Sequence, residues 1–458
     1  MPYPLPIPLL HSLTQVPHYN EAQLIQCHNQ PQGVHSVRIH NNKLLHAGHL
    51  PVSSSVPWAT HAYYLSHRPK YTLDPLLHAG AYYVQEASSM LLEQFVTQLA
   101  PLTQPLIILD LCAAPGGKST HLLQLINEHS VLISNELISN RNSILQENII
   151  KWGKPNVVIT QNDASTFALL PNLVDVIIVD APCSGSGLFK KDNNAITEWS
   201  TDAVTLCAQR QQRILADVLP TLKEGGLLIY STCSYSVQEN EDIMDYLTEQ
   251  LHMTNCTIQL SNDYNVTTTL SKQKATGYRC WPYQVQGEGF FISAFKKTHA
   301  THINSIHTKK INTIPTISKH DLSIVYPYIR DSKLYEYILQ GTDVLAVTQA
   351  TYAILPLLKL KLYIKQAGIT MGQLAQGQLI PHHALAVSTV YTHIITKVHV
   401  PLQEALAYLS KANIQLQDVP KGWLMVCYNS IPLGLIKNLG NRINNYYPKN
   451  WRILMLNP

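Results

Sequence analysis

The sequence predicts an α/β protein: a Rossmann-like, mainly parallel sheet with helices on both faces. A small N-terminal α+β appendage precedes it, and a C-terminal extension ending in a β-rich module comes after it. Three observations predict this. From about residue 105 to residue 251, short apolar runs alternate with stretches of helical apolar spacing. The first run leads into a loop with two adjacent glycines, Gly116 and Gly117. The fourth and fifth runs each end beside a cysteine, Cys183 and Cys233. Open α/β sheets gather their reactive groups at such strand ends.

Residues 1–60 are rich in Pro, His and Asn, with short strand-like pieces such as HSVRIHN, and form the appendage. His78-Ala79-Gly80 is a turn, and Ala87 to Val96 has helical apolar spacing, with Gln85 and Glu86 as its N-terminal cap and charge. LIILDLC is the first buried strand, SVLISNE the second, VVITQND the third and VDVIIVD the fourth. A helix is expected from Trp199 to Leu219. Gly225 and Gly226 then form a turn, and GLLIYST is the fifth strand. Asp242 to Leu251 is again helical, and GFFISAFKK is a late strand. Such alternation implies right-handed crossovers between parallel strands. The central domain therefore covers 61–298. Residues 299–320 have little periodicity and read as a linker. A middle unit covers 321–393, and short strands with Gly, Asn and Pro turns make a β-rich module of 394–458.

Composition sets outer bounds. A chain of 458 residues exceeds one ordinary core. Hydrophobic residues make up 45% and mean hydropathy is −0.03, which suits a water-soluble globular protein. The formal charge of +4 is compatible with nucleic acid without demanding it. The eight cysteines form no CxxC pair and no zinc spacing, so no metal site is expected and a reduced, cytoplasmic compartment suits them. No run reaches the roughly 18 apolar residues of a membrane helix, and the start MPYPLPIPLLHS lacks a basic secretory n-region. Nothing demands a dimer, so a monomer is expected. The 21 histidines have no ligand spacing and read as surface polar residues.

Chemistry concentrates at the strand ends. The loop Asp110-Leu111-Cys112-Ala113-Ala114-Pro115-Gly116-Gly117-Lys118 is neither GxGxxG nor a complete P-loop, which disfavours a pyrophosphate ligand. A nucleoside-type ligand remains, and S-adenosyl-L-methionine is the common one, with Asp110 placed for its ammonium group. Glu136 lies about 20 residues past the glycines, the spacing of a ribose-binding acid. Asp163 ends the third strand, where a carboxylate can accept from an adenine amino group. Strand-end acids also serve as plain helix caps. Cys233 reads as a nucleophile: thiolate addition to carbon 6 of a cytosine makes carbon 5 nucleophilic. Asp180 is placed for the pyrimidine ring nitrogen, and Cys183, or a water it positions, for removing the carbon-5 proton. The competing reading of both cysteines is that of small buried hydrophobes. Lys190 and Lys191 suit a phosphate or the base, or a solvated pair of charges.

LDLCAAPGGKST, VDAPCSGSG and STCSYSVQENE together resemble the Sun-type family of RNA 5-methylcytosine methyltransferases. PWATHAYYLSHRPKYTLDPLLHAGAYYVQEASSM and RCWPYQVQGEGFFISAFKK are similar to that family's flanking segments. The tail resembles the C-terminal extension, with a PUA-like module, of its bacterial small-subunit rRNA branch. The resemblance implies a Rossmann-like methyltransferase domain, S-adenosyl-L-methionine as cofactor, and small-subunit rRNA or the subunit itself as partner. It implies cofactor contacts at Cys112, Ala113, Ala114, Pro115, Gly116, Gly117, Lys118, Glu136, Asp163 and Asp180. It also implies attack by Cys233 and product release by Cys183, with Asp180 serving cofactor, base or both. Tyr283 stands where the family often has histidine, and the N-terminal segment is short and divergent. The alternatives are a tRNA rather than rRNA substrate, a DNA cytosine-5 methyltransferase attacking through Cys183, a catalytically silent ribosome-assembly factor that binds RNA, and a nicotinamide dehydrogenase. The glycine pattern disfavours the last.

Overall fold

In the computed structural model, which describes residues 3–30, 33–44, 46–299, 314–392 and 394–454, two short helices come first: α1 (Ile7–Ser12) and α2 (Glu21–His28). Asn20 caps α2 by accepting from the Gln23 amide at 3.0 Å. Strands β1 (His35–Ile39), β2 (Val52–Ser55), β3 (Ala62–Leu65) and β4 (Tyr82–Val84) make an antiparallel sheet of order β2-β3-β1-β4. Arg38 of β1 is fully buried. It donates to Gln85 Oε1 at 3.0 Å, Gln124 Oε1 at 2.6 Å and Thr120 Oγ1 at 2.6 Å, and its guanidinium lies 4.6 Å from the Trp152 ring. Burial pulls its pKa down to about 9. These bonds replace the water it gives up and fasten the N-terminal sheet to the central domain.

The expected helix at 87–96 is a 3₁₀ turn, Ser88–Leu91, followed by a helix at Leu92–Leu99. Glu86 caps the turn, accepting from the Ser88 and Ser89 amides at 2.8 Å each. The parallel strands are β5 (Ile107–Asp110), β6 (Val131–Asn135), β7 (Val157–Thr160), β8 (Val174–Asp180) and β9 (Leu222–Thr232), in spatial order β9-β8-β5-β6-β7. Helix α3 (Gly117–Leu125) follows β5, α4 (Ser139–Trp152) follows β6, and α5 (Thr201–Val218) lies between β8 and β9. Gly225 and Gly226 do not make a turn ahead of β9. They form a bulge inside it, where the β8–β9 register slips and Gly225 takes φ +73°. Strands β10 (Met253–Cys256), β11 (Thr267–Leu270), β12 (Thr276–Cys280) and β13 (Phe290–Lys297) extend the sheet with antiparallel pairings, β13 lying against β9. One core packs on each face of the sheet, around Phe95, Ile108 and Ile229 on one side and Leu109, Ile177 and Phe291 on the other.

Most of the expected linker, 300–313, lies outside the described residues. The expected middle unit does not stand apart from the central domain. Strand β14 (Tyr335–Gln340) starts the next sheet, and β15 (Ile364–Ala367) leaves it to pair antiparallel with β7, completing the edge of the central sheet. The terminal strands β16 (Thr396–His399), β17 (Gly422–Tyr428), β18 (Ile431–Asn438) and β19 (Ile443–Asn445) form one sheet. Its Val426 and Leu433, with Tyr408 beside them, share a core with Val37, Ile39 and Tyr82 of the N-terminal sheet. The N-terminal sheet and the terminal sheet thus bury each other. Among the described residues, no helix is long and apolar enough to cross a membrane.

The histidines depart from expectation. His40, His78, His121 and His383 are buried, not surface residues. The first three rings have a partner: the Trp152 carbonyl at 3.0 Å, the Thr72 carbonyl at 2.9 Å and Glu93 at 2.7 Å respectively. Burial holds all four neutral, with His78 and His121 pulled down to about 4.

Arg279 of β12 and Glu241 form a second buried anchor. Arg279 Nε donates to Glu241 Oε1 at 2.7 Å and Nη1 to the Tyr235 carbonyl at 2.9 Å, close to the Cys233 loop. Removing one partner leaves the other charge buried and alone. Glu241→Ala is therefore expected to destabilise the protein by about 3–5 kcal/mol, read as a lower urea midpoint. An unchanged midpoint would mean that water replaces the carboxylate.

Candidate active site

β8 and β9 run parallel in register, Asp180 opposite Ser231. Each chain leaves its strand toward the same end of the sheet. The Ala181 amide donates to the Ser231 carbonyl at 2.8 Å, and the Gly187 amide donates to the Cys233 carbonyl at 2.7 Å. These bonds tie the two strand-end loops together and set Cys183 Sγ 3.0 Å from Cys233 Sγ. Both cysteines are partly exposed. The Cys183 thiol is pushed up, first by its hydrogen bond with Cys233, then by burial and by the charges of Cys233 and Glu239. A side chain at Gly187 would collide with the Gly289 and Cys233 carbonyls, so only glycine fits this crossing.

Asp180 joins the cysteine strands to the glycine loop. Its Oδ2 pairs with Lys118 Nζ at 2.7 Å, and its Oδ1 accepts from Ser231 Oγ at 2.8 Å. The Lys118 ammonium also lies 5.1 Å from the Phe290 ring, a cation–π distance. The loop is pinned along its length. The Ala113 amide donates to the Asn135 carbonyl at 2.8 Å, Arg141 Nη2 to the Ala114 carbonyl at 3.0 Å, and Asn148 Nδ2 to the Pro115 carbonyl at 2.8 Å. Gly116 takes φ +113° at the start of α3, a conformation suited to glycine.

The carboxylates differ in what they already hold. Asp110 is fully buried and accepts from Ser119 Oγ at 2.6 Å on one oxygen, while Oδ1 has no hydrogen-bond partner among the described residues. Burial pushes it up to about 7. A buried carboxylate oxygen without a donor suits a cationic group of a ligand. Glu136, just past β6, accepts from the Ile138 amide at 2.9 Å and lies 3.6 Å from Arg141. Burial, and then the charges of Asp110, Glu136 and Asp180, push the Cys112 thiol up, so these groups share one electrostatic neighbourhood. Asp163 does what a plain cap does. It accepts from the Ser165 amide at 3.1 Å and from Ser165 Oγ at 2.7 Å, bonds that hold its carboxyl below the usual range. Lys190 donates to Cys27, with Nζ 3.8 Å from its Sγ, and Lys191 is exposed.

Two site residues escape a reading by spacing. Glu239, fully buried, accepts from the Ser184 amide at 2.8 Å, Ser184 Oγ at 2.6 Å and Ser234 Oγ at 2.5 Å. Its only sequence signal is its place in STCSYSVQENE, beside residues that read as a helix start. Tyr283 joins the site to the N-terminal segment: its hydroxyl donates to the His18 carbonyl at 2.7 Å and accepts from the Asn20 amide at 3.1 Å. Its ring stacks on Trp281 at 5.7 Å, and Trp281 stacks on Tyr235 at 5.2 Å.

Comparisons with known proteins agree along the chain. Residues 96–296 match the family model described as 16S rRNA methyltransferase RsmB/F. Residues 5–87 match the N-terminal domain of 16S rRNA methyltransferase RsmF, and residues 396–453 match the methyltransferase RsmF PUA domain. Ribosomal RNA small subunit methyltransferase F of Psychromonas ingrahamii is 31% identical over 435 residues, covering 87% of this chain and 85% of the relative. The Shewanella oneidensis protein of the same name is 27% identical over 423 residues, covering 86% and 84%. A methyltransferase homolog protein from Pyrococcus horikoshii superposes with a TM-score of 0.51 at 26% identity, over 64% of this chain and 100% of that one. NSun6 from the same organism, solved with SFG, shares the fold, with a TM-score of 0.52 at 19% identity over 64% and 98%. With three family-model matches along its length and a relative above 30% identity over most of both chains, this chain belongs to the RsmB/F family of 16S rRNA methyltransferases.

Proposed function

We propose that this protein transfers a methyl group from S-adenosyl-L-methionine to carbon 5 of a cytosine in small-subunit ribosomal RNA, through a covalent bond to Cys233. The observation that supports it most is the pair of thiols 3.0 Å apart at the ends of adjacent parallel strands, beside the Lys118–Asp180 pair. Family membership supports the RNA class. The same reading makes the protein a cytoplasmic monomer with an N-terminal appendage at 1–60, a methyltransferase domain at 61–298, a linker at 299–320, a middle unit at 321–393 whose β15 joins the central sheet, and a PUA-like module at 394–458.

The cofactor's holders are the loop Cys112–Lys118, Asp110 through its unpaired oxygen, Glu136, and Asp163 at the end of β7. When bound, S-adenosyl-L-methionine supplies an electrophilic methyl group. The chain's own work is on the base. Cys233 Sγ, as thiolate, bonds to carbon 6. The electron pair of the carbon 5–carbon 6 bond moves toward the ring nitrogen and makes carbon 5 nucleophilic. Asp180 accepts from the exocyclic amino group on the ring-nitrogen edge of the base, and the Lys118 charge beside it offsets the negative charge that develops at the ring nitrogen. After transfer, Cys183, ionised to its thiolate by loss of its proton to solvent, accepts the carbon-5 proton and becomes a thiol, the electron pair restores the ring double bond, and Cys233 leaves as thiolate.

This division of labour separates the readings. Cys233→Ala should lower transfer of labelled methyl to 30S subunits at least about a thousandfold. Cys183→Ala should leave an RNA–protein adduct that migrates slowly on a denaturing gel. An adduct formed by Cys233→Ala would instead make Cys183 the attacking sulfur. Transfer to tRNA alone would overturn the rRNA assignment, and no transfer at all would mark a silent assembly factor.

Asp110 adds a pH dependence. Its carboxyl keeps its proton in the fold, up to about pH 7, where the unfolded chain has already lost it. Stability should therefore fall as pH rises from about 4 to 7, by on the order of 4 kcal/mol. Asp110→Asn should flatten that slope. At pH 8 the cofactor should raise the urea midpoint of the wild type and not that of the variant; equal gains in both would remove Asp110 from the cofactor site.

A further inference from the structure

Glu239 lies at the end of the 3₁₀ turn Val237–Glu239, and its two oxygens are shared between the two cysteine loops. Oε1 accepts from the Ser184 amide at 2.8 Å and from Gln211 Nε2 at 3.2 Å. Oε2 accepts from Ser184 Oγ at 2.6 Å and Ser234 Oγ at 2.5 Å. Ser184 follows Cys183 and Ser234 follows Cys233. One carboxylate thus holds the residue next to each thiol. Gln211 reaches across from α5, where Nε2 also donates to the Pro182 carbonyl at 3.1 Å and Oε1 accepts from Tyr230 at 3.0 Å. Glu239 is fully buried, and four donors converge on its two oxygens, the hydrogen-bonding a carboxylate needs away from water.

We propose that Glu239 is the positioning residue that keeps the two thiols in contact and in different roles, by clamping both cysteine loops through Ser184 and Ser234 and setting its charge against Cys183. The inference rests on the reading of Cys233 as attacking sulfur and Cys183 as proton acceptor. Two equivalent thiols side by side would compete for the same carbon. Glu239 takes two bonds from Ser184, beside Cys183, and one from Ser234, beside Cys233, while its partner Gln211 also holds the Pro182 carbonyl of the Cys183 loop. A negative charge held against one thiol resists its ionisation and makes it the better base once ionised, while the other is left to attack. The groups facing Cys183 are Cys233 across the contact and Glu239 from the 3₁₀ turn, with Asp180 on its own strand, Tyr230 of β9 and Cys207 of α5 in the same neighbourhood. Tyr230 donates to the Glu239 carbonyl at 2.7 Å, and burial pushes its phenol far up, so it stays neutral. Glu239 is therefore the charge that a substitution can remove from Cys183 without touching Asp180.

Glu239→Gln tests this. The amide keeps the shape, and the serine hydroxyls can rotate to accept from its Nε2. The readout is the rate at which the Cys233–RNA adduct decays in a single turnover, followed on denaturing gels from pH 6 to pH 9. Loss of the charge should lower the pH at half-maximal decay by about one unit. Ser184→Ala removes a donor and leaves Glu239 less neutralised, so it should move that midpoint the opposite way, which a merely structural role would not do. It also serves if the Gln variant does not fold. Midpoints that coincide with wild type in the folded variants would overturn the proposal while leaving the adduct chemistry standing. Failure of Cys183→Ala to trap any adduct would instead sink the Cys233 reading, and this inference with it.

Discussion

The in-register parallel pairing of β8 with β9 is the constraint on which the rest of the site depends. Because Asp180 lies opposite Ser231, everything just beyond the two strands emerges side by side. Parallel strands share a carboxyl end, and that end is where the backbone runs out of ladder partners. The Ala181 and Gly187 amides continue the ladder for a few residues through the loops. The thiols meet because the backbones beneath them are still hydrogen-bonded. A one-residue slip would turn Asp180 to the other face of the sheet and separate it from Lys118.

Around this pairing the fold is assembled as a set of clamps. The glycine loop comes from β5, next to β8, and Lys118 reaches Asp180 from it. The β12–β13 hairpin brings Phe290 to Lys118 and Gly289 against the Cys183 loop. Residues 5–28 pack Leu9, Leu10 and Leu24 against Phe189, Trp199 and Trp281, so this segment is part of the wall behind the Cys183 loop. Tyr283 makes that attachment polar as well as apolar, through the His18 carbonyl and the Asn20 amide.

The C-terminal extension is likewise bound to the centre. β15 adds a strand to the edge at β7, and Asn162 ties it down: its side chain accepts from the Tyr363 amide at 2.9 Å and donates to the Tyr363 carbonyl at 3.1 Å. Asn135 continues the chain of amides from Asn162 to the Leu111 carbonyl, at the base of the glycine loop. The terminal sheet shares its core with the N-terminal sheet, so the PUA-like module has a fixed position relative to the methyltransferase domain. Fixed modules hold an extended RNA at defined spacings, whereas a loosely tethered one adds only local concentration.

What the sequence alone determined was local. Apolar runs such as VDVIIVD and the glycines of the 112–118 loop carry strand and turn information within a few residues, so the alternating fold and the strand-end placement of Cys183, Cys233, Asp180 and Glu136 were legible. The tertiary structure decided everything that depends on pairs distant along the chain. Cys183 and Cys233 are 50 residues apart, and only strand register brings their sulfurs together. Glu239 and Arg38 look like ordinary surface charges until the fold buries them among donors and acceptors from several elements. The same holds for His40 and His121, whose Trp152 carbonyl and Glu93 carboxylate partners come from distant elements. For Asp163 the pattern pointed to a ligand contact with a cap as the alternative, because both uses place a carboxylate at the end of a strand; geometry shows the cap.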